Sequence, residues 1–368
     1  MADELRLAIV GVGNISAIYI TMLDKLPGVR LVGLADAIEG RAETVAADLD
    51  GIRALTVEEA IGTADDVDAI INLTIPAAHA EVSLQAIAGG RHVYTEKPLS
   101  TATADGRRVV EAADKAGVRL GCAPDTVLGT GIQTARQVID SGGIGEPIAG
   151  AAFFTARGPD NWHPNPDFFY APGGGPLFDL GPYYISSLIH LLGPIARVTG
   201  FARPSFTRRP VTAGPNAGHV IEVTVDTHVG ATLQHASGAI STLITSFDIQ
   251  QARLPRIEIY GADGTVDVPD PNTFAGDVDV YTATSKAWET VAPSAGIRDA
   301  QRGIGVADLG RAVRHGEPHR ASGELGFHAL EVMESVLEAA HSGDAVEITS
   351  TCERPVLMPL ADYDYFVS

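Results

Sequence analysis

Residues 6–16 read RLAIVGVGNIS, a short apolar run that closes on two glycines with the spacing Gly11-x-Gly13. A continuous apolar run bounded by glycines is typical of a strand buried in a parallel sheet. The glycines let the main chain turn tightly and approach a pyrophosphate at the N-terminus of the next helix. Ser16 stands at the third position of the motif, where glycine or alanine is usual, and is still small enough for close packing.

Strand and helix patterns alternate from this turn as far as residue 125. Further strands are predicted at 29–36, 68–75, 91–97 and 118–124, with helical patterns between them. This order predicts βαβ units and an α/β fold with a doubly wound parallel sheet. We therefore expect residues 1–125 to form a dinucleotide-binding Rossmann domain.

The remaining residues, 126–368, have a different texture and are expected to form a second, α+β domain. From about Ile148 the chain shows longer alternating strands, and turns such as HASG and GADG suit hairpins. Helical patterns return after residue 302. A predicted helix over 127–141 is left open to packing back on the first domain.

The carboxyl ends of the predicted parallel strands collect the candidate cofactor residues, because ligands of such sheets bind outside those ends. These candidates are Gly11, Gly13, Asn14, Ile15, Asp36, Thr74, Pro76, His79, Glu96 and Lys97. Asp125 ends the fifth predicted strand and is a candidate for substrate contact.

Asp36 is the residue that bears on cofactor choice. It lies about 20 residues after the glycine turn, where an acidic side chain accepts hydrogen bonds from a ribose 2′-hydroxyl and repels a 2′-phosphate. This position favours NAD over NADP. Arg41 follows a few residues later and could hold a phosphate, so NADP stays open.

Composition limits the possible partners. The 46 acidic side chains against 26 basic ones give a formal charge of −20, which disfavours binding to nucleic acid or to an anionic membrane. The two cysteines, Cys122 and Cys352, do not make a disulfide framework, and the scattered histidines give no metal-ligand spacing. With no signal-peptide pattern and no long apolar run, we expect a cytoplasmic protein without a metal.

Six motifs in order resemble the glucose–fructose oxidoreductase, inositol dehydrogenase and rhizopine-catabolism (Gfo/Idh/MocA) family over nearly the whole chain. They are GVGNIS (11–16), TIPAAH (74–79), YTEKPLS (94–100), IDSGGIGEP (139–147), GGGPLFDLGPYY (173–184) and IEIYGADGTVDV (257–268). The resemblance implies an NAD(P)-dependent oxidoreductase of sugars or polyols. It also implies a second domain built on a large, open, mostly antiparallel sheet, with a homodimer or homotetramer formed through that sheet.

Lys97 and Tyr183 are the catalytic residues that the resemblance implies. The lysine of the E-K-P motif contacts the reacting oxygen in this family, and its bond to Pro98 is commonly cis. The usual histidine that transfers the proton is replaced here by Tyr183, four residues after Asp179. A helix is predicted to start near Pro182, so that Lys97, the oxidised nicotinamide and the helix N-terminus would together lower the tyrosine pKa.

Each remaining candidate has an ordinary structural alternative. Tyr183 could be a core tyrosine, Tyr184 is its rival for the catalytic position, and Asp179 could cap a loop instead of orienting Lys97 or the substrate. Trp162 and His163, in a proline-flanked loop, suit stacking on a sugar ring, against a loop anchored by a buried tryptophan. His79 is read as a structural or cofactor-side histidine, and His190 as a core histidine.

The sequence therefore predicts hydride transfer between a ring C–OH carbon of a sugar, glycoside or cyclic polyol and NAD. One alternative is a redox-neutral enzyme that retains NAD and cleaves a glycoside. Another is a cofactor-binding regulator without catalysis, which would have no need of Lys97 and Tyr183.

Overall fold

The computed structural model describes residues 4–368, which divide into two compact units. The first unit contains residues 4–130, Ala295–Leu330 and Pro355–Ser368. The second unit contains Gly131–Ser294 and Glu331–Arg354. The chain thus returns to the first unit twice after leaving it, in contrast to the single predicted boundary after residue 125. Helix and strand patterns do not reveal this, because they do not encode the partner on which a late helix packs.

The first unit is built on a parallel sheet whose central strands are buried and whose edge strand β3 is exposed. Its strands are β1 (Leu5–Val10), β2 (Val29–Ala35), β3 (Arg53–Leu55), β4 (Ala69–Asn72), β5 (His92–Thr95) and β6 (Leu120–Cys122). The spatial order is β3-β2-β1-β4-β5-β6 with every pair parallel, which confirms the doubly wound fold. The sequence did not predict β3, which spans three residues and is too short for a periodic signal.

A glycine accounts for the end of one of the α-helices. They are α1 (Ser16–Leu23), α2 (Arg41–Ala46), α3 (His79–Ala88), α4 (Thr103–Ala116), α5 (Thr130–Asp140), α6 (Pro176–Leu192), α7 (Ile304–His315) and α8 (Gly323–Ser342). Gly117 ends α4 in the left-handed conformation, where glycine carries no steric cost. The helix predicted over 127–141 is α5, and from Gly131 onward it belongs to the second unit.

A large mixed sheet and a small two-stranded sheet form the second unit. The strands are β7 (Pro147–Thr155), β8 (Ile195–Arg203), β9 (Arg208–Pro210), β10 (Val220–Glu222), β11 (His228–His235), β12 (Ile240–Ser246), β13 (Ile257–Gly261), β14 (Gly264–Val268), β15 (Val278–Thr282), β16 (Trp288–Val291) and β17 (Val346–Glu347). The order of the large sheet is β16-β15-β14-β13-β7-β12-β11-β8-β17, and only the β7–β12 pair is parallel. The mostly antiparallel sheet is therefore confirmed, and α6 packs on β7, β11 and β12.

Throughout the described chain, residues 4–368, the helices are either too short or too polar to cross a membrane.

Candidate functional site

The glycine turn after β1 has the local geometry that its sequence predicts. Gly11 has a φ of +98°, and an added Cβ would lie 2.7 Å from the main chain of Leu73 and Thr74. No larger residue fits there, because β1 and β4 come together at this point. Gly13 and Asn14 are exposed, Ile15 is half-buried, and a Cβ at Gly13 would meet nothing within 4 Å.

The N-terminus of α1 is open to an anion. Ser16 is buried, and its hydroxyl donates to the Gly13 carbonyl at 2.7 Å, which closes the turn. Within the described residues, no side chain caps the first turn of α1. Helix N–H groups without a side-chain cap are suited to a phosphate group, so the turn fits the pyrophosphate of a dinucleotide.

Asp36 braces this turn from the end of β2. Its Oδ2 accepts a 2.8 Å hydrogen bond from the Val12 N–H, and its Oδ1 accepts another of 2.8 Å from Ile38. Arg41 lies 3.6 Å from Oδ2, and the aspartate side chain is only 7% exposed. The arginine that left NADP open in the sequence is thus paired with the acidic residue that favours NAD.

Asn72, which the sequence did not single out, organises the segment after β4. Its Nδ2 donates to the His79 carbonyl at 3.0 Å and to Ser83 Oγ at 3.1 Å, while its Oδ1 accepts from the Thr74 hydroxyl at 2.6 Å. Asn72 is wholly buried, whereas Pro76 in the turn that follows is exposed. The only signal in the sequence was a polar residue that interrupts the apolar strand.

His79 has the structural role that the sequence favoured over that of a base. The ring is buried, with Nδ1 2.6 Å from the Pro98 carbonyl and Nε2 3.0 Å from the Thr74 carbonyl. Burial lowers the pKa of His79, which favours the neutral ring. Because a neutral ring has one N–H and both carbonyls are acceptors, the ring donates to one of the two carbonyls and contacts the other.

Lys97 is the second residue after the end of β5, at the carboxyl edge of the sheet. The Glu96 carboxylate accepts the Lys97 N–H at 3.0 Å through Oε2 and the Tyr19 hydroxyl at 2.9 Å through Oε1. The Lys97–Pro98 bond is cis, as expected, and Ala123–Pro124 is a second cis bond that was not expected. Lys97 is half-buried.

The structure gives Asp125, predicted to contact substrate, a different role. The residue is 1% exposed, and its Oδ2 accepts hydrogen bonds from the N–H groups of Gly303 and Gly305 at 2.7 and 3.1 Å. Burial raises the pKa of Asp125 to about 6, against the lowering effect of those two N–H groups. The side chain therefore joins the end of β6 to the start of α7, inside the first unit.

In the second unit, Asp179 and Tyr183 lie on one face of α6. The helix begins at Pro176, so the predicted start near Pro182 is wrong. Both prolines suit the first helical position, and the glycines of GGGP end the preceding loop earlier than expected. Asp179 therefore lies in the first turn with Tyr183 four residues later, which places the two side chains next to each other on the helix.

The two neighbouring tyrosines of α6 are both buried, but to different extents. Tyr184 is wholly buried, packs its ring 6.2 Å from that of Phe154, and has its pKa raised by burial. Tyr183 is 6% exposed and shares the face of Asp179, which is half-buried. His190, also on α6, is wholly buried, in agreement with a core histidine. Both tyrosines are therefore buried, and Tyr184 is the more completely enclosed of the two.

Trp162 and His163 form part of an aromatic cluster on the loop before α6. Trp162 is 64% exposed, so the alternative of a buried tryptophan anchor is wrong. The His163 ring lies edge-on to Trp162 at 5.3 Å, to Phe168 at 5.4 Å and to Phe169 at 5.2 Å. The loop therefore presents an aromatic surface to solvent.

A buried arginine anchors this loop, and the sequence did not single it out. Arg209 on β9 is 3.1 Å from Asp160 and 2.6 Å from Asp248, and each of these three side chains is less than 10% exposed. The guanidinium also lies over the Tyr170 ring at 5.3 Å. Arg209 belongs to the Pro/Arg/Thr-rich segment between Pro204 and Gly218. Residue type alone did not distinguish this buried arginine from the exposed Arg208.

Comparison with known protein families gives two matches in chain order. Residues 5–123 match the model described as the oxidoreductase family with an NAD-binding Rossmann fold. Residues 132–267 match the model of the GFO/IDH/MocA C-terminal domain. The two models follow one another along the chain in the same order as the parallel sheet and the large mixed sheet.

Similar curated proteins and solved structures extend over almost the full length of the chain. Inositol 2-dehydrogenase 3 of Saccharopolyspora erythraea is 26% identical over 361 residues, which covers 96% of this chain and 97% of the relative. The 1,5-anhydro-D-fructose reductase of Ensifer adhaerens is 27% identical and covers 93% and 98%. An NAD binding oxidoreductase from Klebsiella pneumoniae has the same fold, with a TM-score of 0.80, 24% identity and coverage of 94% and 99%.

Proposed function

The chain belongs to the Gfo/Idh/MocA family of NAD(P)-dependent oxidoreductases, and we propose that it oxidises a ring CH–OH group of a sugar, glycoside or cyclic polyol. The names of the two curated relatives, an inositol dehydrogenase and an anhydrosugar reductase, support a ring-shaped polyhydroxylated substrate. When bound, NAD supplies the hydride acceptor at nicotinamide C4.

The cofactor residues proposed here are those at the carboxyl edge of the parallel sheet. The main chain of the glycine turn and the N-terminus of α1 would hold the pyrophosphate, and Asp36 the ribose 2′-hydroxyl. The full set is Gly11, Gly13, Asn14, Ile15, Asp36, Thr74, Pro76, Glu96 and Lys97. His79 supports these residues because its ring contacts the carbonyls of Thr74 and Pro98.

One observation carries the proposal: Lys97 stands at the carboxyl end of β5 with its main chain fixed on both sides. The Glu96 carboxylate holds its N–H, and His79 contacts the carbonyl of the following proline. A lysine that served only solubility would not need such support. In this proposal the Lys97 ammonium polarises the oxygen of the substrate.

Tyr183 is proposed as the group that transfers the proton. A positioned tyrosine hydroxyl can serve as a general acid or base. The field of a helix N-terminus falls off within the first turn, and Tyr183 lies beyond that turn because α6 begins at Pro176. The N-terminus of α6 therefore does not act on Tyr183, in contrast to the expectation from a helix start near Pro182.

Asp179 is proposed to orient either the Lys97 ammonium or a substrate hydroxyl, since a carboxylate can hold a cation or accept a hydroxyl hydrogen. Trp162 and His163 are proposed to stack on the sugar or polyol ring. An exposed aromatic face suits such contact because it offers an apolar surface at small conformational cost.

The test is reduction of NAD⁺ and NADP⁺ by the purified protein with a panel of sugars, glycosides and inositols, followed by absorbance of the reduced nicotinamide. Lys97→Ala, prepared in the same way, controls for contaminating dehydrogenases. We expect one substrate class to reduce NAD⁺ with the natural protein and not with the variant. Glycoside cleavage without net reduction would favour the redox-neutral alternative, and cofactor binding without turnover would favour a regulator.

A further inference from the structure

Tyr19, a residue without any role in the site so far, reaches the Lys97 segment from the other side of the glycine turn. It lies in the first helix after that turn and is wholly buried. Its hydroxyl donates a 2.9 Å hydrogen bond to Glu96 Oε1, across 77 positions of sequence. The side chain thus connects the helix that follows the glycine turn to the end of β5.

The Glu96 carboxylate also binds the main chain of Lys97. Its second oxygen accepts the Lys97 N–H at 3.0 Å, and the Glu96 N–H is itself bonded to the Asn72 carbonyl at 2.9 Å. Two oxygens of one carboxylate therefore hold two donors, one on α1 and one at Lys97. Rotation of the carboxylate would break at least one of these bonds.

The Tyr19 hydroxyl is a permanent donor in this arrangement. Burial, together with the charge of Glu96, raises the pKa of Tyr19 well above its ordinary value. A hydrogen bond from a neutral donor to a charged acceptor is stronger than one between neutral groups. Tyr19 therefore keeps its proton and remains a donor to the Glu96 side chain.

We infer that Tyr19 is a positioning residue for Lys97, which it orients through the carboxylate of Glu96. This inference rests on the proposed function, because the importance of that orientation depends on the reaction of Lys97. The ordinary alternative is that Tyr19 serves only as a core ring, since it also lies against Gly303. The two readings differ in whether the hydroxyl, as opposed to the ring, matters.

Tyr94 on β5 provides a matched control. It too is 1% exposed or less, and its pKa is raised first by burial, with a smaller contribution from Glu96. Within the described part of the chain, however, its hydroxyl makes no hydrogen bond. Tyr19→Phe and Tyr94→Phe therefore each delete one hydroxyl from the same buried region, and only the first removes a bond to Glu96.

The first readout is the reactivity of the Lys97 amine, which needs no substrate. The natural protein and both variants are acetylated with limiting acetic anhydride, and peptide mass spectrometry compares Lys97 with the exposed Lys25, Lys115 and Lys286. We expect Tyr19→Phe to change the relative labelling of Lys97 about threefold or more, because the amine is no longer held in one orientation. Tyr94→Phe should leave it unchanged.

The second readout is turnover with the substrate class identified by the panel. Tyr19→Phe should lower kcat about tenfold, equivalent to ~1.4 kcal/mol in the barrier. The Kd for NADH, from fluorescence titration, should stay within about twofold. If Tyr19→Phe melts far below the natural protein, Glu96→Gln replaces it in the labelling experiment and should also change the labelling of Lys97.

Labelling and turnover in Tyr19→Phe that match those in Tyr94→Phe would overturn the inference, as would unchanged labelling in Glu96→Gln. Failure of the proposed function gives a different pattern. In that case Lys97→Ala keeps full activity, and the labelling of Lys97 alone decides whether Tyr19 orients it.

Discussion

The carboxylate of Asp125 accepts a 2.7 Å hydrogen bond from the main-chain N–H of Gly303, although the two residues are 178 positions apart. This bond joins the end of β6 to the beginning of α7 within the first unit. Gly305 makes the approach possible, because an added Cβ there would lie 2.8 Å from that of Asp125 and 2.4 Å from the Tyr94 hydroxyl. Asp125 is thus part of the support of the sheet edge.

Asp125→Asn should alter the pH dependence of stability. Burial raises the pKa of Asp125 from 3.8 to about 6 in the folded protein, so the folded state holds its proton more tightly than the unfolded chain. The stabilisation from this group is complete below about pH 4 and is lost as the pH rises to about 6, a change of roughly 3 kcal/mol. The free energy of unfolding, from urea titration, should show the asparagine variant gaining on the natural protein over that interval. A difference between the two proteins that does not vary with pH would contradict this assignment.

Asp36→Ser should shift cofactor preference toward NADP. The substitution removes the group that repels a 2′-phosphate and releases Arg41 from a pairing at 3.6 Å. We expect the ratio of the Kd values for NADPH and NADH to fall about tenfold, equivalent to ~1.4 kcal/mol. Fluorescence titration measures both values without a substrate.

The double variant Asp36→Ser/Arg41→Ala is the control for that prediction. Since Asp36 also holds the Val12 N–H, the serine should weaken both cofactors, and the ratio corrects for this common loss. An unchanged ratio in the single variant, or the same gain in the double variant, would mean that Arg41 does not receive the phosphate.

Tyr183→Phe and Tyr184→Phe should separate catalysis from packing on α6. Removal of a group that transfers a proton costs about 10²- to 10⁴-fold in rate, so we expect kcat of Tyr183→Phe to fall at least ~10²-fold. Tyr184 is wholly buried against Phe154, and its phenylalanine variant should keep kcat near the natural value. Steady-state kinetics with one substrate tests both variants, and the opposite ranking would move the catalytic role to Tyr184.

Trp162→Ala should weaken substrate binding without destabilising the fold. Because the side chain is 64% exposed, its loss removes little buried area. KM should rise about tenfold, equivalent to ~1.4 kcal/mol of binding, while kcat changes little. Trp288, the other tryptophan of the chain, is 50% exposed on β16 and serves as the control. Equal effects of Trp162→Ala and Trp288→Ala on KM would remove the aromatic loop from the substrate site.

The sequence predicted those parts of the fold and the site that depend on neighbouring residues. Local patterns or family motifs predicted the turn at Gly11 and Gly13, the strands that precede Asp36 and Lys97, and the mostly antiparallel second sheet. The start of α6 was missed because Pro176 and Pro182 are equally suited to a first helical position.

What the sequence could not predict are the bonds that hold these residues in place. Tyr19 meets Glu96 across 77 positions, and Arg209 meets Asp248 across 39. Such pairs leave no periodic signal in the sequence. A tyrosine whose hydroxyl binds a carboxylate and a tyrosine that only fills the core occur at the same spacing along a helix. Only the tertiary fold, which brings Tyr19 of α1 to the residue after β5, determines which hydroxyl meets a carboxylate.

The most direct test of the account is the turnover of Lys97→Ala, measured beside Lys115→Ala and with NADH binding as the check on folding. Lys115 is exposed near the end of α4, so its variant should behave like the natural protein. The account predicts that Lys97→Ala loses at least ~10²-fold in kcat, with a Kd for NADH within a few-fold of normal. Turnover of Lys97→Ala near that of Lys115→Ala would contradict the central role of Lys97.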